Sequence, residues 1–574
     1  MGIRACRLVL AMMLSVTRAN ELAAPVPPPS RSGEERAIES IKRIGGSVEL
    51  ADVGGRARVI GIDLSDLSGA SDSFLRDLRS VPELRKINLS LTSVSDAGVQ
   101  ELGRFSSLTE VQLAETPITD KALGELSKLS MLQSIDVSST SVTDKGVSKL
   151  LDCKRLRRIV LANIVITDAS TKTLGTFRDL RLLDLKGTKV TERGVKSLLP
   201  CKNLEELRLS GIQSTGDLPR MLSGFANLKA LDLSGCAIED SGISHIAKCK
   251  NLQKLILTET NVTDKGMEAI DGLQKLESLN CGSTHITGRV LKRVSRLKLL
   301  RSLDIEGIRI STDDLKELSG TASLRELNLA GTELTDAGME ALQRLKELRV
   351  LYLDGNPITD AGVGRLRDLV ELRKLGLTGT GVTNNGIRQL KKLTKLEMLT
   401  LDGTKVDGGV ISILPGENLR TLTLIGLPLK DKDLASITRF REMRGLSLDF
   451  TKVTDEGLKS LSGLASLREL ELRSLNITDK GLPPLASLVN MRRLFLDASE
   501  MSDVGLKSLE SLAELRELGL SHTKVTDRGL DQLSCYKNLR DVSLGDTLVT
   551  RDGFEKLKRM NPALARWMQL NSTR

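Results

Sequence analysis

Leucine or methionine returns at a fixed interval along most of the chain, within a repeating pattern of apolar and polar positions. A typical unit, residues 324–342, has the pattern L-x-x-L-x-L-x-x-T-x-L-T-D-x-G-M-x-x-L. The interval is 24 residues, except for one step of 23 residues between Leu396 and Leu419. The frame positions are Leu84, Leu108, Leu132, Leu156, Leu180, Leu204, Leu228, Leu252, Leu276, Leu300, Leu324, Leu348, Leu372, Leu396, Leu419, Met443, Leu467, Met491, Leu515 and Leu539. A divergent first unit, with Val59, Ile62 and Leu64, brings the predicted total to 21.

Each unit is expected to fold as a strand, a turn and a short helix. Alternation at Leu327 and Leu329 predicts a short strand with one buried face. Thr335 or Asp336 is expected to cap the following helix, and the aspartate also suits the helix dipole. The apolar residues that follow, beginning with Met339, recur at helical spacing. One unit cannot bury its own apolar face, so neighbouring units must stack.

These residues resemble a leucine-rich repeat array over residues 59–557, and the Thr-Asp-x-Gly turn resembles the ribonuclease-inhibitor-like superfamily. The most similar pattern is the cysteine-containing subtype of F-box substrate adaptors and long bacterial arrays. That subtype has cysteine where this chain mostly has threonine, and Cys236 alone keeps it. The resemblance implies an α/β solenoid, a curved horseshoe with a parallel sheet on the concave side and helices on the convex side.

The chain outside the array is expected to form short flanking segments. Arg4 and Arg7, followed by the apolar residues 8–16, resemble a secretory signal with a cleavage site near Ala19. The expected divisions are a signal peptide (1–19), a Pro-rich linker (20–33), an N-terminal cap (34–58), the array (59–557) and a C-terminal cap and tail (558–574). The N-terminal cap contains a predicted helix over 34–44. The C-terminal cap is predicted from Phe554, Leu557, Pro562, Leu564 and the single tryptophan, Trp567, which is expected to cover the last repeat.

Composition leaves little material for catalysis. Aromatic residues make up 2% of the chain, and only three histidines occur, His245, His285 and His522, each in a different repeat. No CxxC pair, P-loop or GxSxG turn is present. Cys153, Cys201 and Cys249 fill a column that is otherwise Leu or Phe, so we expect buried free thiols without disulfides. The sequence therefore predicts a protein without enzymatic activity, cofactor or metal.

The 23-residue unit contains Gly408, Gly409, Pro415 and Gly416. Its missing residue either shortens a convex loop or bends the arc and separates two binding segments. The sequence alone leaves both interpretations open.

Charged and aromatic residues recur at positions expected on the concave face. The arginine row directly follows the frame position and is interrupted only by Glu397; its members are Arg301, Arg325, Arg349, Arg373, Arg420, Arg444, Arg468, Arg492, Arg516 and Arg540. An acidic row occurs five residues further along, at Glu306, Asp354, Asp402, Asp449 and Asp497. Solvated ion pairs between repeats would explain both rows without any function. Exposed aromatics beside arginine are typical of interface hot spots, so the predicted binding surface is Arg349, Tyr352, Asp354, Phe450, Arg492, Phe495 and Asp497.

The function that this pattern favours is a non-enzymatic scaffold, exported from the cell, which binds a protein or less favourably a glycan on its concave face. We expect a monomer without a membrane span. One alternative is a cytoplasmic F-box-like substrate adaptor of a ubiquitin ligase, although residues 20–58 lack a Leu-Pro-x-Glu opening. A wrap-around enzyme inhibitor is the other alternative. Nucleic acid is not an expected partner, because basic and acidic residues alternate throughout and no dense basic run occurs.

Overall fold

A computed structural model describes residues 33–67, 69–214, 216–536 and 538–560. The predicted signal peptide, nearly all of the Pro-rich linker and the C-terminal residues Pro562, Leu564 and Trp567 lie outside the described residues. No helix in the described residues has the length and apolar character needed to cross a membrane.

The strands form one 22-stranded sheet, in which every neighbouring pair from β2 to β22 is parallel. They are β1 Ser47–Asp52, β2 Ala57–Asp63, β3 Lys86–Asn88, β4 Glu110–Gln112, β5 Ser134–Asp136, β6 Arg158–Val160, β7 Leu182–Asp184, β8 Glu206–Arg208, β9 Ala230–Asp232, β10 Lys254–Ile256, β11 Ser278–Asn280, β12 Ser302–Asp304, β13 Glu326–Asn328, β14 Val350–Tyr352, β15 Lys374–Gly376, β16 Met398–Thr400, β17 Thr421–Thr423, β18 Gly445–Ser447, β19 Glu469–Glu471, β20 Arg493–Phe495, β21 Glu517–Gly519 and β22 Asp541–Ser543. The 21 parallel strands match the 21 predicted repeats. The leucine-rich repeat solenoid predicted from the sequence is therefore confirmed.

Short helices follow the strands on the opposite side of each repeat. The α-helices are α1 Gly33–Arg43, α2 Asp72–Asp77, α3 Asp96–Leu102, α4 Asp120–Leu126, α5 Asp144–Ser148, α6 Asp168–Leu174, α7 Glu192–Ser197, α8 Leu218–Leu222, α9 Asp240–Ile246, α10 Asp264–Met267, α11 Leu291–Val294, α12 Thr312–Lys316, α13 Met339–Leu342, α14 Asp360–Val363, α15 Asn384–Gln389, α16 Val410–Ile413, α17 Asp455–Leu458, α18 Asp503–Lys507, α19 Asp527–Leu530 and α20 Arg551–Met560. Short 3-10 helices occur at Leu78–Ser80, Lys149–Asp152, Glu268–Gly272, Gly288–Val290, Glu317–Gly320, Gly364–Leu366, Asp431–Arg439, Lys459–Leu461, Asp479–Gly481, Pro483–Ser487 and Asp531–Cys535.

The core is a stack of aliphatic layers between the sheet and the helices. The middle residue of each strand packs directly on its counterpart in the next strand, as Leu327 does on Leu351 in the parallel register. Both side chains are almost completely buried, and burial of each leucine stabilises the fold by roughly 2 kcal/mol. Cys153, Cys201 and Cys249 are buried in this core, as predicted, and burial raises the pKa of the Cys153 thiol to about 11.

The Thr-Asp signature makes hydrogen bonds between repeats as well as within them. In α4 the Thr119 hydroxyl accepts the Lys121 N–H and caps the helix. The neighbouring aspartate, Asp120, turns away from its own helix. Its carboxylate accepts the N–H and the hydroxyl of Thr143 in the next repeat, at 2.7 and 2.8 Å. The expectation that the aspartate caps its own helix is therefore wrong.

We call this column of inter-repeat bonds the Asp–Thr ladder. Its acceptors, each bonded to Thr or Ser of the following repeat, are Asp72, Asp96, Asp120, Asp144, Asp168, Asp240, Asp264, Asp336, Asp360, Asp431, Asp455, Asp479, Asp503 and Asp527. The conserved spacing of the following glycine has the same origin, because a Cβ atom at Gly146 would clash with the Asp120 carboxylate. At Asp336 the bond to Thr359 persists, but α13 begins only at Met339, so Thr335 does not cap a helix there.

The N-terminal cap contains an element that the periodicity did not predict. Helix α1 confirms the predicted helix, and β1 then pairs antiparallel with β2 across the glycine turn at Gly54 and Gly55. The Glu34 carboxylate accepts the Val59 N–H at 2.8 Å and pairs with Arg58 at 2.7 Å. The helix and the antiparallel strand together cover the open edge of the first repeat.

The 23-residue unit keeps its place in the sheet, because Leu399 on β16 stays in register with Leu422 on β17. The missing residue is taken from the helical side, where α16 is only four residues long. There Arg439 Nη2 donates to the Leu414 carbonyl at 2.6 Å and fills the shortened segment. The shortening thus lies on the convex side, as one of the two sequence interpretations held.

Candidate functional site

The concave side of the sheet presents the outer strand positions. Tyr352, at the end of β14, is half-buried, and its ring lies over Gly376 on the neighbouring strand β15. A Cβ atom added at Gly376 would lie 2.8 Å from Tyr352 Cδ1, so only glycine leaves room for this ring position. Asp354 accepts the Thr378 N–H at 2.8 Å and the Thr400 hydroxyl at 3.2 Å. We call Tyr352, Asp354 and Gly376 the Tyr352 cluster.

The same arrangement recurs six strands later. Phe495 ends β20, and its ring lies over Gly519 on β21, with Cδ1 at 2.8 Å from a Cβ atom added there. Asp497 accepts the Ser521 N–H at 2.9 Å and the Ser543 hydroxyl at 2.7 Å. We call Phe495, Asp497 and Gly519 the Phe495 cluster. In both clusters the carboxylate is held by the next two repeats, so its hydrogen bonds fix the strand ends beneath the aromatic ring.

Arg473 connects the Phe495 cluster to the preceding repeats, and the sequence pattern did not single it out. Its guanidinium carbon lies 4.1 Å from the centre of the Phe495 ring, at cation–π distance. Arg473 Nη1 also lies 2.7 Å from Asp449 Oδ2, and its backbone N–H donates to the same carboxylate. Asp449 is 2% exposed, and burial raises its pKa in spite of the arginine. This arginine therefore holds one face of the aromatic ring.

Phe450 lies beside this network in a turn position that disfavours it. Each repeat has one residue with positive φ just after the strand: Asp66, Leu91, Glu115, Ser139, Asn163, Gly187, Gly211, Gly235, Glu259, Ser283, Gly307, Gly331, Gly355, Gly379, Gly403, Gly426, Phe450, Ser474, Ala498, His522 and Asp546. Nine of these 21 residues are glycine, the residue that adopts this conformation without a steric cost. Phe450 has φ 59° and is nevertheless 62% exposed. Neither its backbone conformation nor its burial gives the fold a reason for a phenylalanine here.

The arginine row is in register, because the backbone N–H of each member donates to the carbonyl of the preceding row position. Arg492 N–H, for example, donates to the Arg468 carbonyl at 2.7 Å. Glu397, which interrupts the row, pairs with Arg373 at 2.9 Å and Arg420 at 3.4 Å. The interpretation as solvated ion pairs therefore accounts for this part of the row. Arg349 and Arg492 form no ion pair with another described residue.

The predicted binding surface divides into two groups. Arg349 and the Tyr352 cluster lie on and beside β14, whereas Phe450, Arg492 and the Phe495 cluster lie around β18 to β20. At about 4.8 Å per strand, the six strands from β14 to β20 span roughly 29 Å. The two groups are therefore separate sites of similar construction, and only the second brings three of the predicted residues together.

The chemistry of these surfaces suits binding. Burial, followed by the charges of Asp354 and Glu326, raises the pKa of Tyr352, so its hydroxyl stays protonated at neutral pH. Among the described residues, no three His, Cys, Asp or Glu side chains are placed as metal ligands would be. Two signals could have found the missed residues: Gly376 and Gly519 replace a larger strand residue directly after an aromatic repeat, and Arg473 follows the buried Asp449 by one repeat.

Comparison with known proteins gives matches at the level of the repeat. A leucine-rich repeat region model matches residues 220–482, and a second leucine rich repeat model matches residues 128–151. No curated protein matches the sequence.

Several solved structures are similar to the chain. The ectodomain of the Arabidopsis receptor kinase HAESA, in complex with an extended IDA peptide hormone, is 16% identical, with 90% of this chain and 91% of that chain covered and a TM-score of 0.44. An internalin of Listeria monocytogenes is 19% identical over 65% of this chain and 87% of its own, with a TM-score of 0.34. A leucine-rich repeat protein of Leptospira interrogans is 19% identical over 76% and 90%, with a TM-score of 0.33. With its in-register strands and the two family matches, this chain is a member of the leucine-rich repeat superfamily.

Proposed function

We propose that the protein is an exported, non-enzymatic recognition scaffold that binds a protein partner on the concave side of its C-terminal half. The observation that carries the proposal is Phe450. A large apolar side chain is 62% exposed in a left-handed turn position where nine other repeats have glycine. Because this residue opposes the conformational preference of the turn, contact with a partner is the function that best explains it.

The surroundings of Phe450 support the same proposal. Phe495 is held between Gly519 and the Arg473 guanidinium, so its ring is fixed before any partner arrives. A rigid aromatic surface loses little conformational entropy on binding, which favours its use as an interface anchor. The signal-like first nineteen residues support export of the scaffold.

The alternatives receive less support. The described residues ahead of the first repeat, from Gly33 to Val53, form one helix and one antiparallel strand in place of the helices of an F-box. A wrap-around inhibitor would bind on the same concave side, so it is a special case of the proposal in which the partner is an enzyme.

The proposal is tested with full-length protein expressed in its own cells, where captured proteins are quantified after mild crosslinking. Phe450→Gly and Phe495→Ala, and to a lesser extent Tyr352→Ala, are expected to reduce capture of a specific partner at least tenfold. Ser474→Gly, in the same turn column, and Val504→Ala, exposed on α18, are the matched controls. Unchanged capture by the aromatic variants, with unchanged folding, would contradict the proposal.

A further inference from the structure

The C-terminal part of the arginine row contains three consecutive cations without counter-charges. Backbone hydrogen bonds of 2.7 and 2.8 Å link Arg444, Arg468 and Arg492, so the three side chains leave strands about 4.8 Å apart. None of them forms an ion pair with a described residue. The nearby Glu469 carboxylate is bonded to Arg493 at 2.5 Å and is not available to them. Guanidinium groups keep their charge throughout the physiological pH range, so this is a permanent concentration of positive charge.

The next two members of the row show which group they bind. Asp66, in the turn after β2 of the first repeat, places its carboxylate between Arg516 and Arg540 and pairs with both. The two arginine side chains are only 18% and 12% exposed. The solenoid therefore curves far enough to bring its first repeat against the arginines of its last two repeats. A carboxylate from outside the row is thus already bound between two successive arginines.

The space beside Asp66 is open. A cavity of about 370 Å³ lies between the Asp66 turn and the row, lined by Arg444, Arg468 and Arg492. Its floor includes Gly445, where an added Cβ atom would have no neighbour closer than 3.6 Å. The cavity continues the line of arginines from the pair that holds Asp66, so a chain bearing carboxylates could occupy it in the same manner.

We propose that Arg444, Arg468 and Arg492 form a binding site for an acidic peptide segment of the protein partner, with Asp66 marking one end of the site. This inference rests on the proposed function and names the chemistry of the partner. Arg–carboxylate pairs are charge-assisted and often bidentate, and three of them fix the register of an extended segment. A nucleic acid fits less well, because Asp449, Glu471 and Asp497 lie at the other end of the same strands and would repel further phosphates.

The test measures binding of a fluorescein-labelled hexaglutamate peptide to the full-length protein by fluorescence anisotropy. The triple variant R444Q/R468Q/R492Q is expected to bind at least tenfold more weakly, with an unchanged unfolding midpoint. The matched control K405Q/K432Q/R441Q removes three exposed cations outside the row from the same repeats and is expected to bind as the native protein does. Asp66→Asn, which frees Arg516 and Arg540 while asparagine still tolerates positive φ, is expected to tighten binding about threefold.

Equal binding by the triple variant and the native protein would overturn the inference, as would tighter binding of a sulfated oligosaccharide or of oligothymidylate through the same arginines. If the peptide does not bind while the Phe450 and Phe495 variants still lose their partner, this inference fails and the proposed function stands. If the peptide binds through the arginines while the aromatic variants keep full capture, the proposed function fails instead.

Discussion

The Asp–Thr ladder and the arginine row are both columns with one charged side chain in most repeats, yet they differ in what surrounds the charge. In the ladder, each carboxylate accepts two hydrogen bonds from the next repeat, as Asp120 does from Thr143. In the row, Arg444, Arg468 and Arg492 have no partner among the described residues. Periodicity alone therefore does not separate a structural column from a binding surface, whereas the pairing of the charges does.

The largest effect is expected where the ladder is broken. Asp120→Ala removes two hydrogen bonds to a charged acceptor, so we expect a loss of about 2 to 3 kcal/mol in the free energy of unfolding. Urea denaturation measures the loss, and hydrogen exchange should place it in the repeats around α4 and α5. Asp152→Ala, an exposed aspartate outside the ladder, should change stability by less than about 0.5 kcal/mol. Equal effects of the two variants would show that the ladder contributes nothing.

Arg473 tests whether a paired arginine differs from an unpaired one. Arg473→Gln leaves the buried Asp449 carboxylate without its counter-charge, and we expect a loss of about 2 kcal/mol because the pair is partly open to solvent. Arg468→Gln, from the row in the same repeat, should cost less than about 0.5 kcal/mol. Urea denaturation of the two variants provides the comparison, and a similar cost for both would remove the distinction drawn above.

Phe450 is expected to reduce stability in the free protein. Phe450→Gly relieves a positive φ, so the free energy of unfolding should rise by about 1 kcal/mol. Ser474→Gly, at φ 57° in the next repeat, should give a similar gain without loss of partner binding. Thermal denaturation followed by circular dichroism measures both. A loss of stability in the Phe450 variant would mean that the ring packs in the fold and serves no partner.

The smallest effect concerns pH. Burial, with the neighbouring Glu517 charge, raises the pKa of Asp541 to about 6, above its value in an unfolded chain. The stabilisation from this group is therefore complete at pH values below about 4 and is lost as pH rises through 6. Asp541→Asn should match the native protein near pH 4 and exceed its stability by up to about 1 kcal/mol at pH 7.5, since solvent screens the partly exposed group. A difference that does not change with pH would contradict this.

The sequence predicts the features that repeat and misses those that depend on one place in the solenoid. The frame leucines predict all 21 parallel strands, because each apolar position has the same neighbours in every repeat. Strand β1 was not predicted, since it pairs antiparallel outside the frame. The contact of Asp66 with Arg516 joins repeats about 450 residues apart and depends on small rotations that accumulate along the array.

The candidate site was predicted only in part for the same reason. The exposed Phe450 and the aromatic Phe495 depart from the repeat pattern in one repeat each, so the sequence is enough to identify them. The roles of Gly376, Arg473 and Asp354 depend on contacts with neighbouring strands. Those contacts join residues 24 positions apart and become visible only when the register is known.

Site-specific photocrosslinking in the native cells tests the central claim most directly. A photoreactive phenylalanine at position 450 places the probe beside the concave side, and the same probe at Val504, on α18 of the convex side, is the control. The account predicts a specific crosslinked protein from position 450 and none from position 504. Crosslinks that form equally from both positions, or from position 504 alone, would contradict recognition on the concave side.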